Sequence, residues 1–545
     1  MAQKTKRIEI LNANSIEFDE KIGKDVKRLL GNVQFQHENA IMYCDSAYLN
    51  SKTNILQAFN NVRIKQGDSL NLYGDYLNYN GNTRMARVRR NVRLVHGQST
   101  LKTDSLDYDR NMNIGHYFDW GFIKDQQNDL KSVNGYYYSD TKDYYAVDSV
   151  TLLNPDYTIF SDSLRYNTGT DISYFYGSTD IVSDSNFIYC EFGWYDTKKD
   201  ISKVAKNAYI LSKDKKLSGD SLFYDRNLGY GEAKNKVALL DTSAQILITG
   251  DYAEYFERND SAYVTLRALM TKYNQEDTLF LHADTLKLFR VIDSIKVEIY
   301  QYTDSLVYIG NDSVPQENRS DLDTSCWITQ TFVSDTLFTE TTDTTKIVLA
   351  FHHVQIFKDD IQARTDSLSY STKDSTIRLF KLPIIWSGEK QITAEYIELQ
   401  TENNKPTKMN LLASSFITIQ DDSIRFNQIQ GKDMVGFFNL DNELSKLDVY
   451  TDAKSIFFPR EDATEEQQKD SLKGDLVGVN LTESTTMTIW FEENQPIKVT
   501  LYKQPNGILN PVGKLPQEEL YLKGFSWKEA IRPQTKNDIF IWKEQ

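Results

Sequence analysis

Ser218-Gly219-Asp220-Ser221-Leu222-Phe223-Tyr224, followed by the turn Asp225-Arg226-Asn227, is the stretch on which the fold turns. Its frame, small–acid–Ser/Thr/Tyr–aliphatic–x–Tyr, recurs along the chain. Copies are Cys44-Asp45-Ser46-Ala47-Tyr48-Leu49, Gly74-Asp75-Tyr76-Leu77-Asn78-Tyr79 and Thr103-Asp104-Ser105-Leu106-Asp107-Tyr108. The series opens at Ala13-Asn14-Ser15-Ile16-Glu17-Phe18, passes a worn copy at Asn134, and continues at Asp162, Glu191, Asp220, Asp251 and Asp284. Asp304, Asp335, Asp366, Glu395 and Asp422 extend it. Successive members lie 27–33 residues apart, except for the 20 between Asp284 and Asp304. A period held for that long is the signature of a repeat architecture.

A second phrase alternates with the first. Gly31-Asn32-Val33-Gln34-Phe35, Asn60-Asn61-Val62-Arg63-Ile64 and Arg90-Asn91-Val92-Arg93-Leu94 each set a polar residue and Asn before alternating apolar side chains. Period-2 alternation is the pattern of a half-buried strand. Turns such as Asn80-Gly81-Asn82, Asp109-Arg110-Asn111 and Asn167-Thr168-Gly169 use residues that tolerate left-handed backbone. Each period therefore holds two chain passes of roughly 14 residues, long enough to bend across two sheets. The expected fold is all-β: an elongated, repetitive antiparallel β-jellyroll, a solenoid-like stack of ~29-residue units. At two strand spacings per unit the rod is on the order of 140 Å long.

The expected organisation is jellyroll repeats over 7–310, an irregular insertion at 311–345, repeats again over 346–460, and a linker with a β-containing region over 461–545. Within that last part, Arg460 to Lys469 reads as a short helix or linker, Asn506-Gly507 as a hairpin turn, and Phe525 to Ile531 as a short helix.

Composition narrows the function classes. The chain carries 62 Lys and Arg against 77 Asp and Glu, a net charge of −15, and no basic stripe is evident in the sequence. Nucleic acid is therefore excluded as an expected partner. No run of 18 apolar residues exists, so no transmembrane segment is expected. Met1-Ala2-Gln3-Lys4 resembles a mature end left by signal cleavage. Cys44, Cys190 and Cys326 have no close spacing, which gives neither a disulfide framework nor a zinc motif. Cys44 and Cys190 fall at the small position of the frame and read as buried fillers.

Gly-Asp-Ser-Leu occurs at 67–70 and 219–222 and opens one family of lipases and esterases. A nucleophile at Ser69 or Ser221 would need a histidine base. None of His37, His96, His116, His282, His352 and His353 has an Asp three residues before it, and the serine recurs rung after rung. The chain reads as a non-enzyme with no catalytic residues, cofactor or metal. The repeated acid could form a cation ladder, but the glycine-rich calcium loop is missing. It is expected instead to accept hydrogen bonds at a sheet corner. Adjacent His352 and His353 would point to opposite faces of a strand.

The apolar positions carry more. Leu77 and Tyr79, Leu106 and Tyr108, Leu164 and Tyr166, Leu222 and Tyr224, Ala253 and Tyr255, Leu368 and Tyr370 would line one face throughout. That face is either a closed core or an open trough able to hold acyl chains, and periodicity does not separate the two.

The Asp-Ser-Leu-x-Tyr strands alternating with Gly-Asn-Val-x-Phe or Asn-Asn-Val-x-Ile strands, over roughly residues 7–460, resemble the OstA/LptA family of periplasmic lipopolysaccharide-transport proteins. The length resembles the long OstA-like proteins of the Bacteroidetes group. The resemblance implies a V-shaped jellyroll in the periplasm whose apolar interior shields lipid A acyl chains between the two membranes. It also implies docking to other jellyroll components of the bridge by edge-strand pairing. The competing class is a structural or adhesive β-solenoid with a closed core and no lipid.

Overall fold

In the computed structural model, residues 6–273, 278–303, 333–403, 405–440, 442–461, 474–492, 495–511 and 513–544 are described. Their strands form one antiparallel hydrogen-bonded sheet. Val26–His37 pairs with Ala40–Asn50, that with Ile55–Gln66, and the meander runs on through Leu70–Asn80, Met85–His96, Ser99–Asp109 and Ile114–Asp125. The all-β, elongated, repetitive character expected from the sequence is what the chain adopts.

Every return pass breaks register at its middle. Leu30 faces Ser46, but Val33 faces Cys44; Phe59 faces Tyr76, but Val62 faces Gly74. In most of them the two skipped residues both have positive φ, such as Asn60 and Asn61 at 60° and 49°, Arg90 and Asn91 at 63° and 49°, Lys206 and Asn207 at 60° and 53°; at Gly177-Ser178 only the glycine does, at 116°. Two consecutive left-handed residues turn the strand and divide each pass between two half-sheets. This explains the recurring Asn, whose short polar side chain tolerates that region.

The repeated acid faces this corner. Asp45 accepts from the Asn61 amide at 2.8 Å, Asp75 from Asn91 at 2.6 Å, and Glu191 from Asn207 at 2.7 Å. Asp162 accepts from the Ser178 backbone N–H at 3.1 Å. In each pair the partner lies 16 residues downstream, on the next pass. The acid is thus a clasp between neighbouring passes. At the far hairpins an Asn or Asp carboxyl or amide oxygen caps the turn: Asn80 Oδ1 accepts from Asn82 N–H at 2.9 Å, and Asp196 Oδ1 from Lys199 N–H at 2.9 Å.

Several local expectations are corrected. His352 and His353 do not alternate across a strand; both are left-handed, at 58° and 52°, and occupy a corner where they meet Asp366 and Asp284. Asp284 is therefore clasped across the 278–357 excursion rather than by the next 16 residues. The copy at Asp304 lies outside the described residues. Asp335 faces Gln301 in a long paired arm, Thr278–Thr303 against Val333–Phe357, and is not a rung. Residues 333–345, part of the stretch read as an insertion in the form of a protruding loop or hairpin, belong to that second strand. Asp422 sits in a hairpin turn bound to Arg425, and Lys432 takes the corner position, donating to Thr451 O at 3.0 Å. Residues 462–473, within the expected linker, are outside the described residues.

Asn506-Gly507 is not a hairpin turn but lies inside the strand Asn506–Asn510, which continues its pass beyond a corner at left-handed Lys503 and Gln504; both arms of the pass pair with Val479–Glu492. Phe525 to Ile531 is not a helix beyond a single 3-10 turn at Glu529–Ile531. The tail instead runs back along the outer face of one half-sheet as a strap. Gln428 donates to Leu520 O at 2.9 Å and accepts from Leu522 N–H at 2.8 Å. Gln391 repeats this with Ser526 O and Lys528 N–H, both at 2.7 Å. Trp542 stacks under Arg364 at 3.5 Å, and Ile539 is fully buried.

Candidate functional site: the apolar interior and its seam

Alternation places one set of side chains from both half-sheets inside. Leu77, Tyr79, Leu106, Tyr108, Leu164, Tyr166 and Leu222 are at most 1% exposed; Tyr224 and Leu368 are buried, and Tyr255 and Tyr370 half-buried. All eleven belong to the one interior face, as the frame implied. Cys44 and Cys190 are buried there too, and burial pushes both thiols up to about 12.

Side chains fill this interior. Beside Tyr224 and Tyr255 a cavity of about 20 Å³ remains, room for about one water. A space of that size does not hold an acyl chain.

What closes the interior is a seam. The corner side of the body is continuous backbone, whereas on the opposite side the hairpin ends of the two half-sheets meet, among the described residues, through bonds that side chains make. Tyr79 OH meets His37 Nδ1 at 2.7 Å and accepts from Arg110 at 2.8 Å. Arg110 also donates to Asn39 at 2.7 Å and Gln66 at 3.0 Å, and Arg84 pairs with Glu38 at 2.7 Å. Further along, His96 meets Tyr137 at 2.6 Å, Ser99 meets Tyr144 at 2.7 Å, and Tyr166 OH donates to Asp125 at 3.0 Å. Asn186 donates to Tyr224 at 2.9 Å, and Lys215 pairs with Asp260.

The tyrosines of the frame thus do two jobs. Their rings pack inside, and their hydroxyls, buried and needing partners, reach the seam. Burial raises the Tyr79 and Tyr166 hydroxyls; Arg110 opposes the rise at Tyr79, while Asp125 adds to it at Tyr166. Burial lowers His37 and His96, and the cations Arg110 and Lys142 lower them further. The seam therefore holds both imidazoles neutral.

Sequence reasoning found the interior row but missed the seam. Its signal was available: His37, Gln66 and His96 stand at the last position of successive return strands, where the frame's own periodicity leaves a polar residue facing in. The two Gly-Asp-Ser-Leu strings land in unlike places. Gly67 opens a hairpin at φ 62°, while Gly219 and Asp220 sit at a corner between strands. Neither serine has a histidine partner among the described residues, where no group of three His, Cys, Asp or Glu side chains is placed to hold a metal.

No helix among the described residues is long and apolar enough to cross a membrane. No curated protein matches the chain. Residues 4–162, which carry the first rungs and the best-formed part of the seam, match the family model of the OstA-like proteins, a match that supports assignment to the OstA-like family.

Proposed function

We propose that the chain is a periplasmic lipopolysaccharide-transport bridge protein that shields lipid A acyl chains inside its jellyroll. The OstA-like match over residues 4–162 is the observation that carries this reading. An apolar interior whose closure on one side depends on side chains alone is consistent with it. Acyl chains would enter where the seam parts, lying against Leu77, Tyr79, Leu106, Tyr108, Leu164, Tyr166, Leu222, Tyr224, Tyr255, Leu368 and Tyr370. Parting the seam costs side-chain hydrogen bonds, each worth about 0.5–1.5 kcal/mol, and no backbone pairing. The role is binding rather than catalysis. Both ends of the sheet offer free edges, at Glu9–Asn12 with Ser15–Phe18 and at Gln495–Tyr502 with Asn506–Asn510, for strand addition by other jellyroll components.

The filled interior favours a second reading, a scaffold with a closed core and no lipid. Photo-crosslinking from Tyr108 or Tyr224 in cells separates them. Capture of lipopolysaccharide is expected; crosslinks to protein alone, from every interior position tried, would leave the scaffold.

A further inference from the structure

Among the described residues, the outer face of the half-sheet that the strap covers at one end of the body is bare at the other, and there its composition changes. Across successive strands one row reads Tyr43, Arg63, Tyr73, Arg93, Lys102, Phe122, Lys131. Cations and aromatic rings alternate and stack: Arg63 lies 5.8 Å and 5.6 Å from the Tyr43 and Tyr73 rings, and Arg93 lies 4.4 Å from Tyr73. Asn71 fixes the Arg63 guanidinium with bonds of 3.2 and 2.9 Å. In a chain of net charge −15, Arg63, Arg93, Lys102 and Lys131 form a stripe, and among the described residues none of them has a carboxylate within 4.0 Å.

A second observation marks the same place. The later of the two left-handed corner residues is Asn at 32, 61, 91 and 207, but here it is Trp120, at φ 72° and 38% exposed. A bulky residue held in that region is strained. Its indole lies 4.3 Å from Lys131, with exposed Phe122 nearby. Between the row and the rim of corner residues Asp75, Asn91, Asp104 and Asp119 lies a cavity of about 820 Å³.

We propose that this outer cavity binds an acidic oligosaccharide, one bearing carboxylate or phosphate groups. Ring faces of Tyr73, Phe122 and Trp120 stack on sugar rings, while Arg63, Arg93 and Lys102 take the anionic groups. Asp104 and Asp119 on the rim accept from hydroxyls, and they would repel an unbroken polyphosphate backbone. Arg63 and Arg93 stand two strands apart, about 9.6 Å, roughly the length of a disaccharide. The volume suits a few sugar rings. An extended peptide fits less well: where this face does hold a peptide, fully buried Gln391 and Gln428 donate to and accept from the strap backbone, whereas Gln34, the glutamine at the end of the bare row, is only half-buried between Asn12 and Tyr43. This site lies on the opposite side of the sheet from the interior and stands whether or not the interior carries lipid.

Titration calorimetry on the full chain tests it with tetragalacturonate, neutral maltotetraose, hexaglutamate and the deacylated saccharide of lipopolysaccharide. Tetragalacturonate or the deacylated saccharide should bind about tenfold or more tighter than maltotetraose, and the two acidic probes separate a free glycan from a lipid-borne one. Arg63→Ala/Arg93→Ala/Lys102→Ala should weaken that binding at least about tenfold, and Trp120→Asn, which retains every charge, about fivefold. Absence of saccharide binding, equal binding by hexaglutamate, or unchanged affinity in the Trp120→Asn protein would overturn the assignment.

Discussion

Replacing Arg110 with Ala should open the seam locally without unfolding the body. Its guanidinium holds Tyr79, Asn39 and Gln66 at 2.8, 2.7 and 3.0 Å. Hydrogen bonds from a charged donor are worth about 1.5–3 kcal/mol each, a gross loss of about 4–9 kcal/mol. Against this, Arg110 is 8% exposed and, among the described residues, has no carboxylate in salt-bridge range, so its removal relieves a desolvation cost of several kcal/mol. The net is about 2–2.7 kcal/mol, a change of roughly 30- to 100-fold in the opening equilibrium. A long repeat chain does not unfold in one step, so a global midpoint would hide the effect. Hydrogen exchange resolves it. Amides at 37–40, 66–70 and 109–114 should lose roughly 30- to 100-fold in protection, and those at 357–362 should not change. Arg110→Met, which keeps the volume, should lose nearly as much. Protection unchanged within about threefold at the three hairpins, or lost evenly along the chain, would refute the reasoning.

Acid should loosen the same seam. His37 and His96 are held neutral below their ordinary pKa of 6.5, so the open form binds the extra proton. Their contribution is complete above about 6.5 and falls as pH drops below it; Arg110 and Arg84 facing His37, and Lys142 facing His96, deepen the effect, while Glu38 and Asp140 oppose it. Exchange corrected for intrinsic rate should quicken between pH 7.5 and 5.5 at 37–40 and 96–99, and His37→Asn/His96→Asn should flatten that dependence. At the corners, Asn61→Gly should cost under about 1 kcal/mol, since it loses an exposed clasp but keeps the left-handed turn, whereas Asn61→Val should cost about 2–3 kcal/mol, read by local exchange. Trp120→Asn should raise local stability by about 1 kcal/mol, the strain that residue now stores. Ile539→Glu should free the strap and expose Phe416 and Phe426, seen as faster proteolysis within 511–544 and new binding of a hydrophobic dye.

The rungs were legible because the frame repeats a physical requirement: an apolar pair inside, an acid at the corner, and an Asx-rich turn. Leu77 and Tyr79 could be placed inside from alternation alone. The corner itself was not legible as two left-handed residues, since Arg90, Lys206, Leu266 and His352 fill that position beside the expected Asn and Gly. Asp335 and Asp422 matched the frame by letters but not by pairing, because strand register is decided by what lies opposite: Asp335 faces Gln301 in the long arm, and Asp422 sits in a hairpin turn with Arg425. The seam was hidden for the same reason: His37 and Tyr79 are 42 residues apart in sequence and meet only when two bent passes are laid side by side. The strap had no periodic signal at all, being read by isolated glutamines such as Gln355, Gln391 and Gln428 that lie far apart in the sequence.

The clasp of Asp45, Asp75, Asp162 and Glu191 to residues 16 places later has a consequence for how such a chain can change. Each of these units is tied to its immediate successor by the same local bond, with no dependence on a distant copy. Adding or deleting a whole period leaves all remaining bonds of that kind intact, while any smaller insertion at a corner breaks two. Length is therefore quantised, in steps of about 9.6 Å. The molecule can be lengthened like a ruler, one graduation at a time, and the arm of Thr278–Thr303 against Val333–Phe357 shows where extra chain goes when it does not amount to a graduation: into a paired extension between two rungs that still meet through Asp284 and His353.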